Sequence, residues 1–385
     1  MAELIEARIE TIAAGGAGLA RIEGKPVFIK GAAAGERLVC RITKDHRSWA
    51  EAEPLEILDA SPDRAEPCCG VYGKCGGCNL QHLGYKAQLA AKTAILKDAF
   101  VRIGGIHPPE PKLIPSDPWE YRNRMQFHAA RQNGKTGSGV LWGLKPEKSA
   151  GFIPLQDCPV ADPGIRKLLC EEEKKTLLTP LGKDRFTVYS RGDLFLIEGG
   201  ISRGKTRILD QELALDASLF FQSNGAALEK LIADLLAVAA EADRSLPMAD
   251  LFCGVGVFAA FLGKLFPRAD LVEENKAAAA LARGNFAQGD FFAQRGEEWI
   301  KHNNPRKFGF IIVDPPRQGL DQSLSLRLAA DGPPMLAYVS CDPATLARDS
   351  KILTAGNYTL TELRFYDFYP QTSHIESLAV FRVCL

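Results

Sequence analysis

The stretch PMADLFCGVGVFAAFLGKLF, residues 247–266, decides the fold of this chain. Its apolar start, Pro247–Phe252, predicts a buried strand, the glycine-rich turn Cys253–Val257 follows, and Phe258–Phe266 has the apolar content of a helix. A glycine turn between a strand and a helix lets a ligand approach backbone that any side chain would block. Strands and helices alternate from Met248 onward, so we predict a parallel sheet covered by helices, with a cofactor at its carboxyl edge.

A carboxylate follows the next predicted strand. The strand Asp270–Val272 ends at Glu273, which lies about 20 residues beyond the glycine turn, where an acid can accept hydrogen bonds from both hydroxyls of a ribose. Gly254, Gly256 and Ala259 also satisfy the loose G-x-G-x-x-G/A pattern of dinucleotide sites, so NAD stays open at this point.

Two later turns of the same sheet favour a methyltransferase. Asp314-Pro315-Pro316 follows the apolar strand Phe308–Val313, and an acid before prolines makes a stiff loop beside the cofactor crevice. Such loops are common in methyltransferases of nucleic-acid bases, and those acting on amino groups usually continue with an aromatic residue that stacks on the base. Arg317 follows here, which points away from amino-group methylation.

The second turn brings a cysteine to the same edge. The strand Met335–Val339 delivers Cys341, which is either a small buried hydrophobe or a nucleophile. The polar turn and the helix predicted to start at Pro343 favour the nucleophile, because helix N-terminal amides lower the pKa of a thiol. We therefore expect a lowered pKa at Cys341.

The chemistry of uracil calls for such a cysteine. Carbon 5 attacks a methyl donor only after a thiolate has added at carbon 6, and a general base must then remove the carbon 5 proton. Glu376 is the candidate base, at the start of the final predicted strand, Leu378–Val383. His374 is the alternative, since imidazole titrates near neutrality, and a purely structural role remains open for both.

The N-terminal part has a different character. Residues 1–60 alternate short apolar stretches with turn residues, which predicts a small β-barrel. Lys44, His46 and Arg47 run up to Trp49, a basic-aromatic cluster suited to RNA or, equally, an ordinary solvated strand pair. Further along, helical spacing predicts helices over Tyr85–Arg102 and Gly225–Ala242.

Composition limits the class of protein. At 385 residues the chain needs two or three domains, and 47 basic against 47 acidic residues argue against a protein that coats nucleic acid by bulk charge. No stretch approaches the roughly 18–20 apolar residues of a membrane span, and the N-terminus lacks a signal-peptide core, so we expect a cytoplasmic protein, by default a monomer.

Cysteines cluster in one segment. Cys68, Cys69, Cys75 and Cys78 lie within eleven positions, which suggests a metal site in a reducing compartment. Zinc with His82 or Cys68 as fourth ligand and an iron–sulfur cluster both fit this spacing. The remaining cysteines, Cys40, Cys170, Cys253 and Cys384, we expect to be packing residues.

Together these motifs resemble the RNA uridine-5 methyltransferase family, which contains the 5-methyluridine enzymes of 23S ribosomal RNA and transfer RNA. The resemblance covers nearly the whole chain and includes Tyr121-Arg122-Asn123-Arg124-Met125 and Phe220-Phe221-Gln222-Ser223-Asn224. It implies an α/β fold: a Rossmann-like S-adenosylmethionine methyltransferase domain with an N-terminal small β-barrel and a central mixed α+β domain. The implied domains are a TRAM-like RNA-binding barrel (1–60), an iron–sulfur and central RNA-binding domain (61–215) and the methyltransferase domain (216–385).

The resemblance also implies roles for single residues. Cys341 matches the nucleophile and Glu376 the base. The cofactor S-adenosylmethionine would contact Gln222, Phe252, Glu273 and Asp314, with Asp290 near the adenine. A 4Fe–4S cluster would be held by Cys69, Cys75, Cys78 and Cys158. Val257 departs from the family, because many members place an asparagine there that helps to hold the cofactor.

The expected partner is structured RNA, with 23S ribosomal RNA favoured over transfer RNA and neither DNA nor a membrane expected. Three alternatives remain: an RNA amino-group or guanine methyltransferase that needs no Cys341, an RNA-binding factor without turnover, and an NAD-linked oxidoreductase.

Overall fold

The computed structural model describes residues 3–134, 137–147 and 151–383. Within these ranges no helix is long and apolar enough to cross a membrane. The strands of these ranges form four sheets, which are described below in chain order.

The first sheet contains six strands in the order β1-β5-β6-β4-β3-β2. Strand β1 at one edge contacts β3 beside the other edge, as the closed sheet of the predicted barrel requires. Its buried residues, which include Ala7, Ile29 and Leu38, form one cluster of their own. The strands are β1 (Leu4–Arg8), β2 (Thr11–Ile12), β3 (Gly18–Ile22), β4 (Lys25–Ile29), β5 (Arg37–Asp45) and β6 (Ala50–Asp59).

The middle of the chain holds one antiparallel sheet and a separate hairpin. The predicted helix over Tyr85–Arg102 is confirmed as α1 (Tyr85–Ala99), which continues as a π-helical turn over Phe100–Gly104. The next elements are β7 (Lys112–Ile114), β8 (Arg124–Gly134), β9 (Gly137–Leu144), β10 (Ile153–Pro154), α2 (Pro163–Cys170), α3 (Glu172–Leu178), β11 (Arg185–Arg191), β12 (Leu194–Ile197), β13 (Arg203–Ile208) and β14 (Gln211–Asp216). The five-stranded sheet has the order β10-β9-β8-β11-β12, and β13 pairs with β14.

The C-terminal part is an eight-stranded sheet in the order β17-β16-β15-β18-β19-β21-β20-β7. Its strands are β15 (Met248–Leu251), β16 (Ala269–Val272), β17 (Asp290–Phe292), β18 (Phe310–Val313), β19 (Met335–Ser340), β20 (Tyr358–Tyr366) and β21 (Glu376–Val383), together with β7 from the middle segment. Its helices are α4 (Gly225–Ala240), α5 (Val257–Leu262), α6 (Lys276–Asn285), α7 (Gly296–His302), α8 (Gln322–Asp331) and α9 (Pro343–Ala355).

The predicted parallel sheet is confirmed. Strands β15 to β19 pair in parallel, and β21 runs antiparallel to both of its neighbours. Successive residues of β15 contribute to two separate apolar clusters, Met248 to one and Ala249 to the other, so helices cover both faces. Burial on both faces explains why these strands read as continuous apolar runs.

Two elements from the segment 61–215 pack with this C-terminal sheet. Strand β7 pairs in parallel with β20. Helix α1 and its π-helical turn pack against α9, since Leu89, Leu96 and Phe100 belong to the same apolar cluster as Leu346. Helix α1 also bonds the connection between β20 and β21 through Gln88 and Lys92, a position that its own sequence pattern does not indicate.

Candidate active site

A cleft of about 890 Å³ opens at the carboxyl edge of the parallel strands. It is lined by the glycine turn after β15, by Glu273 after β16, by Asp314 after β18 and by Cys341 after β19. Sheets of this class bind ligands at this edge, where the strand order reverses beside β15. The size is within the range of small-molecule pockets.

The turn after β15 bends through left-handed backbone at three residues. The φ angles of Phe252, Gly254 and Gly256 are 65°, 53° and 80°. Glu273 supports the turn: its Oε2 accepts a hydrogen bond from the Gly254 backbone N–H at 3.0 Å, and its Oε1 accepts one from the Asn275 N–H at 2.7 Å. The carboxylate is thereby fixed at the cleft wall, in position to accept hydrogen bonds from a ligand.

The structure brings most of the predicted cofactor residues together. Gln222, Phe252, Glu273 and Asp314 all line the cleft, and the buried Gln222 Oε1 has no hydrogen-bond partner among the residues that the structure describes. An orphaned buried acceptor is costly in a folded protein, and a ligand donor would satisfy it. Asp290 is not brought to the cleft, because it starts β17 at the opposite edge, where it is exposed and pairs with Arg268 at 3.6 Å.

Sequence reasoning missed other residues of this wall. Asn275, Gln294 and Arg295 line the cleft and follow the strands β16 and β17. Their place just after the carboxyl ends of parallel strands was the available signal, but polar residues in such turns are common and carry no motif. Val257, which departs from the family asparagine, also lines the cleft.

Cys341 and Glu376 lie side by side at the end of one strand pair. Strands β19 and β21 are antiparallel, with Ser340 opposite Ser377, so continuing this register by one residue places Cys341 opposite Glu376. Glu376 is 2% exposed, and burial raises the pKa of its carboxyl well above the usual value, as does the nearby charge of Asp314.

The expected lowering of the Cys341 pKa is wrong. Burial raises the pKa of the thiol to about 12; Glu376 and Asp314 add to the rise, and Arg317 opposes it. The helix α9 does not compensate, because the Asp342 side chain occupies its first amides, accepting hydrogen bonds from the Ala344 and Thr345 N–H groups at 2.9 Å. Arg317 is therefore the positive charge that favours the thiolate.

Arg317 also contacts the alternative base. Its Nη2 lies 3.5 Å from Nδ1 of the exposed His374, and the pKa of this imidazole is lowered to about 4 by surrounding protein and by the positive charges of Arg317, Arg122 and Lys92. Asp314 has a raised pKa of about 7, caused by burial. Around the Cys341 thiol the cleft thus places two carboxyls with raised pKa values, those of Glu376 and Asp314, and the guanidinium of Arg317.

The four cysteines named from the family resemblance line one small pocket. Cys69, Cys75, Cys78 and Cys158 all contribute to it, and burial raises the pKa of Cys78 to about 11 and that of Cys158 to about 12. Arg122 lines both this pocket and the cleft. In the part of the chain that the structure describes, no group of three or more His, Cys, Asp or Glu side chains is arranged to hold a metal ion.

The alternative fourth ligands do not reach the pocket. Cys68 is exposed and does not line it, and His82 is engaged elsewhere, with Nδ1 at 2.6 Å from the Tyr72 hydroxyl and Nε2 at 3.2 Å from the Ala32 carbonyl. Of the expected packing cysteines, Cys40 and Cys253 are buried. Cys170 is exposed, so the prediction was wrong for this residue. Cys384 lies outside the described residues.

The basic-aromatic cluster of the barrel is partly assembled. His46 and Trp49 stack with ring centroids 4.1 Å apart, next to the exposed Arg47. Lys44 pairs with Glu51 at 2.8 Å, which compensates its charge. The stacked pair therefore offers an aromatic surface more than a positive one.

Sequence profiles of three families match parts of the chain. The profile described as tRNA (Uracil-5-)-methyltransferase matches residues 300–382, which include Asp314, Cys341 and Glu376. The TRAM domain profile matches residues 3–55, and the profile of the methyltransferase small domain matches residues 230–336.

Whole-length relatives share these regions. A Treponema denticola protein described as an RNA methyltransferase is 32% identical, over 94% of this chain and 94% of its own. The 23S rRNA (uracil(1939)-C(5))-methyltransferase RlmD of Pseudomonas entomophila is 30% identical, over 97% of this chain and 92% of its own.

A solved structure shares the whole fold. The Pyrococcus abyssi tRNA (uracil-54, C5)-methyltransferase, in complex with S-adenosyl-L-homocysteine, superposes with a TM-score of 0.74 at 21% identity. The match covers 98% of this chain and 100% of the other. It confirms the predicted arrangement of a Rossmann-like domain behind an N-terminal barrel.

Proposed function

Because this chain belongs to the family of RNA (uracil-5-)-methyltransferases that carry a TRAM domain, we propose that it methylates carbon 5 of a uridine in 23S ribosomal RNA with S-adenosylmethionine. One observation carries the proposal: Cys341 and Glu376 stand opposite each other at the end of β19 and β21, in the cleft that holds the glycine turn. An amino-group methyltransferase needs neither residue.

We assign the cofactor to the wall formed by the turn after β15. S-Adenosylmethionine supplies an electrophilic methyl group when bound. Glu273 would accept hydrogen bonds from the ribose, Gln222 would offer its unpaired Oε1, and Phe252 and Asp314 would complete the wall. Asp290 has no part in this assignment because it lies at the other edge of the sheet.

In the proposed reaction the thiol of Cys341 first loses its proton to the carboxyl pair of Asp314 and Glu376, which passes it to solvent. The guanidinium of Arg317 stabilises the resulting thiolate. The sulfur then adds to carbon 6 of uracil, and the electrons of the C5–C6 double bond move toward O4 as an enolate. Carbon 5 attacks the methyl group, and the new C–CH₃ bond forms as the sulfonium C–S bond breaks.

Glu376 completes the cycle. Its carboxylate takes the carbon 5 proton, the C5–C6 double bond reforms, and the bond between carbon 6 and sulfur breaks to return the thiolate. A carboxylate with a raised pKa accepts a proton more readily than an ordinary one, and Glu376 has such a pKa. His374 is the weaker candidate, because its lowered pKa of about 4 makes it a poor proton acceptor.

The choice of 23S ribosomal RNA is supported by the relative that acts on uracil 1939 of that RNA, which aligns over 97% of this chain. Transfer RNA is the second candidate substrate, since the Pyrococcus abyssi enzyme with the same fold is a tRNA (uracil-54, C5)-methyltransferase. The barrel, with the stacked His46 and Trp49, would contact RNA outside the cleft.

We further propose that Cys69, Cys75, Cys78 and Cys158 hold a 4Fe–4S cluster. The four thiols line one pocket, and four cysteines are the usual donor set of such a cluster. A 4Fe–4S cluster is larger than a single metal ion, so its thiolates lie farther apart than the side chains of a one-ion site, for which no three of the described residues are arranged. Metal analysis and the visible absorbance of anaerobically purified protein test this assignment, with Cys158→Ser as the variant that loses iron. A stoichiometric zinc content without iron would refute it.

A trapping experiment tests the reaction. Glu376→Gln is incubated with S-adenosylmethionine and total RNA from a host that lacks the methylation, and blocked proton removal should leave methylated RNA bonded to Cys341. The expected result is an RNA-shifted protein band that is absent when Cys341→Ala is added to the same chain. Sequencing the attached RNA identifies the substrate.

The other outcomes refute defined parts of the proposal. Wild-type methylation without a trapped band would mean that the base lies elsewhere or that an amino group is methylated. A band that carries transfer RNA would refute 23S ribosomal RNA as the substrate and identify transfer RNA in its place. No methylation by the wild-type protein would favour an RNA-binding factor without turnover.

A further inference from the structure

The segment Asp367–Ser373, which connects β20 to β21 and leads into Glu376, lies outside any strand or helix. Gln371 within it has a φ of 66°, a left-handed conformation that non-glycine residues rarely adopt. Such strain persists only where the surrounding structure holds the backbone in place. The segment is therefore held by contacts from other parts of the chain.

Those contacts come from α1 and from the two residues that follow Cys78. The backbone N–H groups of Asn79 and Leu80 donate to the Gln371 carbonyl at 3.1 and 3.0 Å. The Gln88 side chain makes two hydrogen bonds to the same residue, both at 2.9 Å. Its Nε2 donates to Gln371 Oε1, and its own Oε1 accepts from the Gln371 backbone N–H. Lys92 adds a buried bond to the Asp367 carboxylate at 2.7 Å.

Asn79 contributes most to the end of the segment nearest Glu376. Its Oδ1 accepts a hydrogen bond from the Ser373 N–H at 2.9 Å, and its Nδ2 donates to Ser373 Oγ at 3.1 Å and to the Gly15 carbonyl at 2.8 Å. A Cβ at Gly16 would lie 2.9 Å from Asn79 Nδ2, so the barrel turn packs closely on this side chain. One amide thus joins the barrel turn to the strand that carries the base.

We propose that Asn79 is a positioning residue for Glu376. This inference rests on the proposed function, because it assigns a role that acts through the proton-removing base. Ser373 is three residues ahead of Glu376, and its backbone is fixed by Asn79, so the amide sets where β21 starts. Cys341 directly follows β19 and is not held by this contact. Loss of the Asn79 amide should therefore impair proton removal more than thiolate addition.

The test compares Asn79→Ala, Asn79→Asp and the wild-type protein in steady-state methylation and in the trapping assay. A misplaced base slows the chemical step after substrates have bound, so for Asn79→Ala we expect kcat to fall about tenfold while KM for RNA and for S-adenosylmethionine stays within about twofold. The covalent RNA adduct should accumulate with S-adenosylmethionine, as in Glu376→Gln, because addition and methyl transfer still proceed.

Asn79→Asp keeps the oxygen that accepts from the Ser373 N–H but replaces the Nδ2 donor with an oxygen that faces the Gly15 carbonyl, so it should be more active than Asn79→Ala and less active than the wild-type protein. This variant also keeps the test informative where alanine prevents folding. The matched control is Asn357→Ala, which removes one side-chain hydrogen bond, to the Ala330 carbonyl at 2.8 Å, at the opposite edge of the sheet. It should retain wild-type kcat and show no adduct accumulation.

The outcomes separate this inference from the proposed function. Wild-type kcat in Asn79→Ala, or a lower kcat without more adduct, overturns the positioning role as long as Glu376→Gln still traps RNA. A failure of Glu376→Gln to trap RNA overturns the proposed function instead. An Asn79→Asp variant that folds but is no more active than Asn79→Ala also counts against the role of the Ser373 contact.

Discussion

The two glycines of the turn after β15 should respond differently to the same substitution. Gly256 has a φ of 80°, and a Cβ built on it would lie 3.0 Å from the Ala282 Cβ and 3.1 Å from the Ala282 Cα on helix α6. Gly254 has a φ of 53°, and a Cβ there would meet no atom of the described residues within 4 Å. The space beside Gly256 is filled by protein, whereas Gly254 faces open space in the cleft.

The magnitudes follow from these contacts. An alanine in left-handed backbone costs about 1–2 kcal/mol at either position. Gly256→Ala must also displace the backbone of α6, and overpacking of this kind adds about 1–3 kcal/mol. We therefore expect Gly256→Ala to lower the free energy of unfolding by about 2–5 kcal/mol, and Gly254→Ala by about 1–2 kcal/mol.

Cofactor affinity should show the reverse order. The methyl group of Gly254→Ala projects toward the space that the cofactor would occupy, so its affinity for S-adenosylhomocysteine should fall about tenfold or more, equal to at least about 1.4 kcal/mol. Urea unfolding measures the first quantity and isothermal titration calorimetry the second. Equal destabilisation by both alanines, or full affinity in Gly254→Ala, would refute this assignment of the two glycines.

Three further predictions concern other parts of the molecule. Glu376→Gln removes a negative charge that raises the pKa of Cys341, so the pKa of the thiol should fall. Iodoacetamide should then alkylate Cys341 faster at a fixed alkaline pH, which mass spectrometry measures. An unchanged alkylation rate would contradict the proximity of Glu376 and Cys341. Lys92→Met leaves the fully buried carboxylate of Asp367 without its ion-pair partner and should lower the free energy of unfolding in urea by about 3–5 kcal/mol. Adding Asp367→Asn to the same chain should restore part of this loss. No recovery would mean that the two side chains are not coupled. Trp49→Ala should weaken RNA binding about tenfold in a filter assay and leave S-adenosylhomocysteine affinity unchanged, whereas equal RNA affinity would show that the barrel does not stack on bases.

The parallel sheet could be predicted from sequence because its signals are local. A strand buried on both faces reads as an apolar run, and the glycine turn after β15 is written in adjacent residues, as are the turns that carry Asp314 and Cys341. Since parallel strands end at one edge, placing these turns in order also places their side chains in one cleft. Helix α4 was predictable for the same reason, from its spacing of apolar residues.

The pKa of Cys341 was not predictable, because it depends on groups distant in sequence. The motif suggested helix amides as the stabilising partner, but the Asp342 side chain occupies those amides and the cleft buries the thiol beside two carboxyls. Desolvation and charge act through space, so they become known only once Glu376 and Asp314 are located.

The sequence by itself therefore determined the class of fold, the order of the strands along the chain and the residue types at the carboxyl edge, since each is set by neighbours within a few positions. Only the tertiary structure decided that α1 and β7 pack with the C-terminal sheet, that Asp290 stays away from the cleft, and that Asn79 holds the loop ahead of Glu376. These features are contacts between residues as many as 294 positions apart. Such contacts leave no periodic pattern in the chain, because each depends on the folded position of its partner.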